Sequence, residues 1–114
     1  MPTGLDDSLE PTRMWSLERL GESITVADMA KHACVSERTF ARRFVAETGT
    51  TPLQWLLHQR VMLARDRLET TAASIDQVAA DCGFGTAANL RIHFRRVLAT
   101  TPTAYRRTFA QRAA

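Results

Sequence analysis

No stretch of this 114-residue sequence is apolar for the roughly 18 residues that a membrane-crossing helix needs. No basic segment followed by an apolar one opens it, so neither a membrane span nor an export signal is expected. Cysteine is scarce. Cys34 and Cys82 are the only two, and no second pair completes a zinc spacing. Each falls in an apolar-periodic stretch where a helix gives way to a turn, so both are expected to be small buried hydrophobes with free thiols in a reducing, cytoplasmic compartment. His32, His58 and His93 share no spacing with one another or with a carboxylate that would suggest a metal site or a base beside a nucleophile. Catalytic residues, cofactors and metals are therefore not expected, and nothing supports an enzyme.

Two further scarcities concern charge. Lys31 is the only lysine, so almost all the positive charge is arginine, whose planar fork suits phosphates and guanine edges. No acidic residue follows Asp81, while Arg91, Arg95, Arg96, Arg106, Arg107 and Arg112 do. The net charge of +3 thus understates a C-terminal segment that is strongly positive, and a polyanionic partner is the natural inference.

Strand-like alternation is also missing, and what is present is helical periodicity. Helices are expected over roughly 11–20, 26–33, 37–47, 52–69, 75–82, 87–98 and 102–110. Thr25 with Asp28, Thr51 with Gln54 and Ser74 with Gln77 each fit a capping box. Pro52 and Pro102 fit a first helical turn, where no backbone donor is lost. The fold class is all-α.

The chain also repeats itself. Val26, Met29, Ala30, Ala33 and Val35 match Ile75, Val78, Ala79, Cys82 and Phe84 at a constant offset of 49. After one inserted residue the offset is 50, and Phe40, Phe44, Thr51, Pro52 and Trp55 match Leu90, Phe94, Thr101, Pro102 and Tyr105. Each copy is a short helix, a tight turn, a second helix with an apolar pair four residues apart, then Thr-Pro opening a third helix. That is helix-turn-helix spacing. Gly83 suits the left-handed turn position of the second copy; Cys34 stands there in the first and weakens the turn signal. The helix over about 52–69, roughly 26 Å long, would join the copies through a stripe of Leu53, Leu57, Val61, Ala64 and Leu68. Trp15, Trp55 and Tyr105 fall at core spacing. Arg60, set among apolar neighbours, is expected to be structural.

The runs VSERTFARRFVAETGTTPLQWL and IDQVAADCGFGTAANLRIHFRRVLATTPTAYRR resemble the double helix-turn-helix domain of AraC-family transcription regulators over about residues 10–110. TGTTPLQWLLHQRV and CGFGTAANLRIHFRR look closest to the GlxA-like branch, whose members usually carry an N-terminal domain similar to class I glutamine amidotransferases. The resemblance implies a C-terminal fragment of a longer regulator. Residues 1–10 would be a linker remnant, and the domain would fill 11–114, with helix-turn-helix units at about 26–47 and 75–98.

It also implies that helices 37–47 and 87–98 enter successive major-groove segments of double-stranded DNA. At about 100° per residue, Phe40 and Phe44 face inward and leave Arg38 and Arg42 outward with Ala41 and Val45. Arginine at guanine is the commonest specific contact. The same rotation puts Ala88 and Ile92 in the matching places of the second copy, so that face is apolar and offers at most methyl contacts to thymine. Arg38, Arg42, Ala88, Asn89, Arg91 and Ile92 are the expected base-contacting residues. Ser36, Thr39, Arg43, Thr86, Arg95 and Arg96 are the expected phosphate contacts. RNA polymerase is a further partner that the resemblance implies. The isolated chain is expected to be monomeric, and the full-length protein dimeric through the missing domain. Two rival readings are a basic helical module that binds an acidic protein and an architectural nucleic-acid binder without sequence preference; salt dependence and sequence discrimination separate them.

Overall fold

The computed structural model describes residues 8–113, which form seven helices and no strand. They are α1 (Glu10–Leu17), α2 (Val26–His32), α3 (Glu37–Thr48), α4 (Pro52–Thr70), α5 (Ile75–Asp81), α6 (Ala87–Leu98) and α7 (Pro102–Ala113). The all-α expectation holds, with two boundaries three residues off: α1 stops at Leu17, where turns carry the chain instead of helix to 20, and α7 runs on to Ala113 instead of ending at 110. The expected linker over residues 1–10 lies largely outside the described residues. Where it enters them it is part of the fold, because Leu9 is buried and Glu10 opens α1.

The chain divides into two compact units, one up to Leu56 and one from Leu57. The first has a core of Leu9, Leu20, Ile24, Met29, Ala30, Phe40, Phe44 and Leu56. The second is closed by Val61, Ala64, Leu68, Val78, Ala79, Cys82, Phe84, Leu90 and Phe94, with Tyr105 packed against them. The repeat seen in the sequence reappears as hydrogen bonds. The Val35 N–H donates to the Ala30 carbonyl at 3.1 Å and the Phe84 N–H to Ala79 at 2.9 Å, each closing a Schellman turn at an offset of 49. At an offset of 50, Phe44 meets Trp55 edge-on with ring centroids 5.6 Å apart, and Phe94 meets Tyr105 in the same way at 5.8 Å.

Both units place a left-handed residue in the turn between their helices and another at the end of the second helix; the second unit adds a third at Gly85 (φ +81°). The turn positions are Cys34 (φ +61°) and Gly83 (φ +88°), and the helix ends are Gly49 (φ +80°) and Ala99 (φ +60°). At these two equivalent positions each unit therefore has one glycine and one residue with a Cβ in a conformation that costs it about 1–2 kcal/mol. Part of that cost is recovered, because glycine loses more freedom on folding. Cys34→Gly and Ala99→Gly are each expected to add about 0.5–1 kcal/mol of stability, read as a higher urea midpoint at unchanged slope.

Three local expectations are corrected. Cys34 is exposed, because the left-handed turn directs its side chain away from the core, whereas Cys82 is buried as expected. Leu53 is 54% exposed, and the buried stripe of α4 is Leu56, Arg60, Val61, Ala64 and Leu68. Pro52 is buried at the start of the helix, and its neighbour Leu53 points about 100° away. Of the three capping boxes only Thr25 with Asp28 is reciprocal; Gln54 accepts from Thr50, and Gln77 donates to Asp81 at 2.8 Å. Burial pushes the Cys82 thiol up to about 11, so a thiol reagent at neutral pH should modify one cysteine in the folded protein and two after denaturation.

Candidate nucleic-acid interface

The turn geometry decides how α3 is presented. Ser36 caps it, accepting from the Thr39 N–H at 3.1 Å, and Phe40 and Phe44 lock its inner face into the core. Arg38 and Arg42, one helical turn apart on the opposite side, are exposed together with Val45. Thr39 is half-buried, and Arg43 is half-buried and already engaged within the protein. The last turn of α3 is anchored as well. Both carboxylate oxygens of Glu47 accept the Leu9 N–H at 3.0 Å, and one of them also takes Arg13 at 3.0 Å. The Arg13 guanidinium lies 5.9 Å from the Phe44 ring centroid.

The second unit presents α6 by the same devices. Thr86 caps it through the Asn89 N–H at 3.1 Å, and Leu90 and Phe94 close its inner face. Ala88, Arg91, Ile92, Arg95 and Arg96 are exposed. Asn89 is exposed too, but its amide nitrogen donates to the Phe84 carbonyl at 3.1 Å, leaving one proton and the amide oxygen for any other partner. As caps, Ser36 and Thr86 accept from the backbone and each keep a hydroxyl proton to donate. His93 stacks on Phe84 with centroids 5.8 Å apart; burial, with Arg96 nearby, holds it below the usual imidazole range. It is therefore neutral at pH 7 and adds no charge to this face.

Three other basic or aromatic side chains have structural work. Arg106, counted from the sequence among the positive surface, donates to the carbonyls of Leu68 (3.2 Å), Ala73 (2.6 Å) and Thr71 (3.2 Å), tying down the end of α4 and the chain leading to α5. Trp15 is half-buried, stacked on His32 at 4.5 Å with the Arg19 guanidinium 4.8 Å from its ring centroid. Arg60 is buried, and desolvation lowers its pKa, as suits a structural group. Among the described residues no three histidine, cysteine or acidic side chains gather as they would around a metal ion, and no helix is long and apolar enough to cross a membrane.

Two paired helices repeated in tandem, each offering an exposed second helix over a closed core, define a double helix-turn-helix DNA-binding domain. The model of the helix-turn-helix domain family matches residues 29–108, and the chain belongs to that family, as a domain of the AraC type. It is 38% identical over 105 residues to a putative AraC-like transcription regulator of Streptomyces lividans, covering 91% of this chain and 34% of the relative. It is 37% identical over 92 residues to the HTH-type transcriptional regulator Rv1931c of Mycobacterium tuberculosis, covering 81% and 36%. This chain thus spans about a third of the length of these relatives. Among solved structures, the DNA-binding domain of AdpA, a global transcriptional factor crystallised with a target DNA, matches with a TM-score of 0.89 and 47% identity over 91% of this chain and 94% of that one.

Proposed function

We propose that this chain is the DNA-reading part of a transcription regulator and binds double-stranded DNA sequence-specifically, with α3 and α6 each in a major-groove segment. The observation that carries the proposal is the pair Arg38 and Arg42, exposed one turn apart on a capped helix whose opposite side is locked into the core by Phe40 and Phe44. Arg38 and Arg42 read base edges, guanine foremost, while Ala88, Ile92, Arg91 and Asn89 meet bases more weakly. Ser36, Thr39, Thr86, Arg95 and Arg96 hold phosphates, helped by the positive ends of two helices that each run for 12 residues. Arg43 is the weakest member of that set, since it is already engaged. Contact with RNA polymerase, membership of the GlxA-like branch and dimerisation through a domain outside this chain belong to the same proposal.

Selection of bound sites from random duplexes tests it. A defined motif should emerge, and affinity should fall steeply with salt while discrimination among sequences persists. Randomising the half-site under α3 should cost more than randomising the half-site under α6. Binding that falls with salt but ranks all duplexes alike would overturn the proposal in favour of an architectural binder. Sedimentation of this chain alone is expected to show a monomer at all concentrations.

A further inference from the structure

Ile92 is 58% exposed, more than any other large hydrophobic side chain among the described residues. It is not surplus core, because Leu90 and Phe94 already close the inner face of α6 with no exposure at all. Ala88, one turn earlier, is exposed beside it, and Arg91, Arg95 and Arg96 frame the pair. An apolar strip bordered by cations fits a surface with anions at its rim and apolar groups on its floor, and the major groove of duplex DNA has that pattern. On that floor only one of the four standard bases carries an apolar group, the C5-methyl of thymine. The exocyclic donors and acceptors of the other bases would lose water against isoleucine without gaining a partner.

We infer that α6 reads a pyrimidine C5-methyl group, with Ile92 as the contacting side chain and Ala88 leaving the room for the helix to approach. The inference rests on the groove placement proposed above and makes it chemically specific: the ligand is the methyl, not the hydrogen-bonding edge. Thymine and 5-methylcytosine both supply it; deoxyuridine and cytosine do not. The second unit is then sensitive to cytosine methylation within its half-site.

The test uses a duplex obtained by selection and changes single methyl groups in the α6 half-site. Replacing one thymine by deoxyuridine removes the methyl and leaves the pairing edge intact. Wild-type protein should bind that duplex about fourfold more weakly at one or two positions, the equivalent of one buried methyl. At the same position, 5-methylcytosine should bind about fourfold more tightly than cytosine. Ile92→Ala should lose both differences and, since its side chain supports no core contact, should keep its melting temperature and its preference within the α3 half-site. Wild-type protein that ignores every thymine-to-deoxyuridine change under α6, yet still discriminates under α3, would overturn the inference and leave the proposed function standing. A methyl effect that survives Ile92→Ala would overturn the assignment to Ile92. Absence of discrimination in both half-sites would overturn the proposed function and the inference together.

Discussion

Arg42→Ala is expected to weaken binding to a preferred duplex by roughly 1–3 kcal/mol and to relax the preference at one base pair, whereas Arg95→Ala should weaken all sequences about equally and lower the salt slope by about one. The difference follows from where the two side chains stand. Arg42 lies opposite the Phe40 and Phe44 side of α3, so its guanidinium has no route back into the core and projects where a base edge would be met. A fork that bridges guanine O6 and N7 gives discrimination as well as affinity. Arg95 belongs to the cationic border of an apolar strip, and a phosphate contact carries charge without sequence. Competition binding to a panel of single-base variants at two or more salt concentrations separates the two effects. Uniform losses in both mutants, with the panel ranking unchanged, would remove Arg42 from the reading face.

Phe94→Ala is expected to cost about 3–5 kcal/mol of stability, the largest effect of any substitution considered for α6. Phe94 is wholly buried within the cluster of Leu68, Val78, Leu90 and their neighbours and stands edge-on to Tyr105, so truncation removes packing from two helices and leaves a void. A domain of this size has only about 5–15 kcal/mol in hand, so the loss should appear as a much lower urea midpoint. Ile92→Ala, two positions away on the opposite face, should stay within about 0.5 kcal/mol of wild type. The contrast separates what holds α6 in place from what α6 presents. A Phe94→Ala loss below about 1 kcal/mol would mean that the cluster relaxes to fill the space.

Much of this was legible because a helix-turn-helix unit is short and its constraints are local. The 49- and 50-residue offsets registered correctly, since each copy must place a small residue, a left-handed turn and an apolar pair within about one turn of fixed positions. The outward placement of Arg38, Arg42, Ala88 and Ile92 followed from inward phenylalanines and leucine by helical rotation alone. What stayed hidden is contact between residues far apart in sequence. Nothing in the spacing relates Arg106 to three carbonyls more than 30 residues earlier, or Glu47 to the Leu9 N–H. Charge counting therefore assigned Arg106 to the positive surface. Leu53 failed for a different reason: a four-residue apolar rhythm fits two adjacent phases of a helix, and only the buried proline at its start decides between them. Cys34 departs from its apolar surroundings because backbone conformation, not hydrophobic character, governs that position.

The hydrogen bond of Leu9 to Glu47 ties the backbone just before α1 to the last turn of α3. Glu47 is on the same helix as Arg42, roughly 8 Å further along its axis. A load applied to the backbone ahead of Leu9 is thus expected to reach the last turn of α3 as well as α1. A tether attached at that end pulls on the arginine-bearing helix, while one attached beyond α7 pulls on the unit that carries the apolar strip. A fusion or surface-immobilisation experiment is therefore expected to load the first unit when held ahead of Leu9 and the second when held beyond α7.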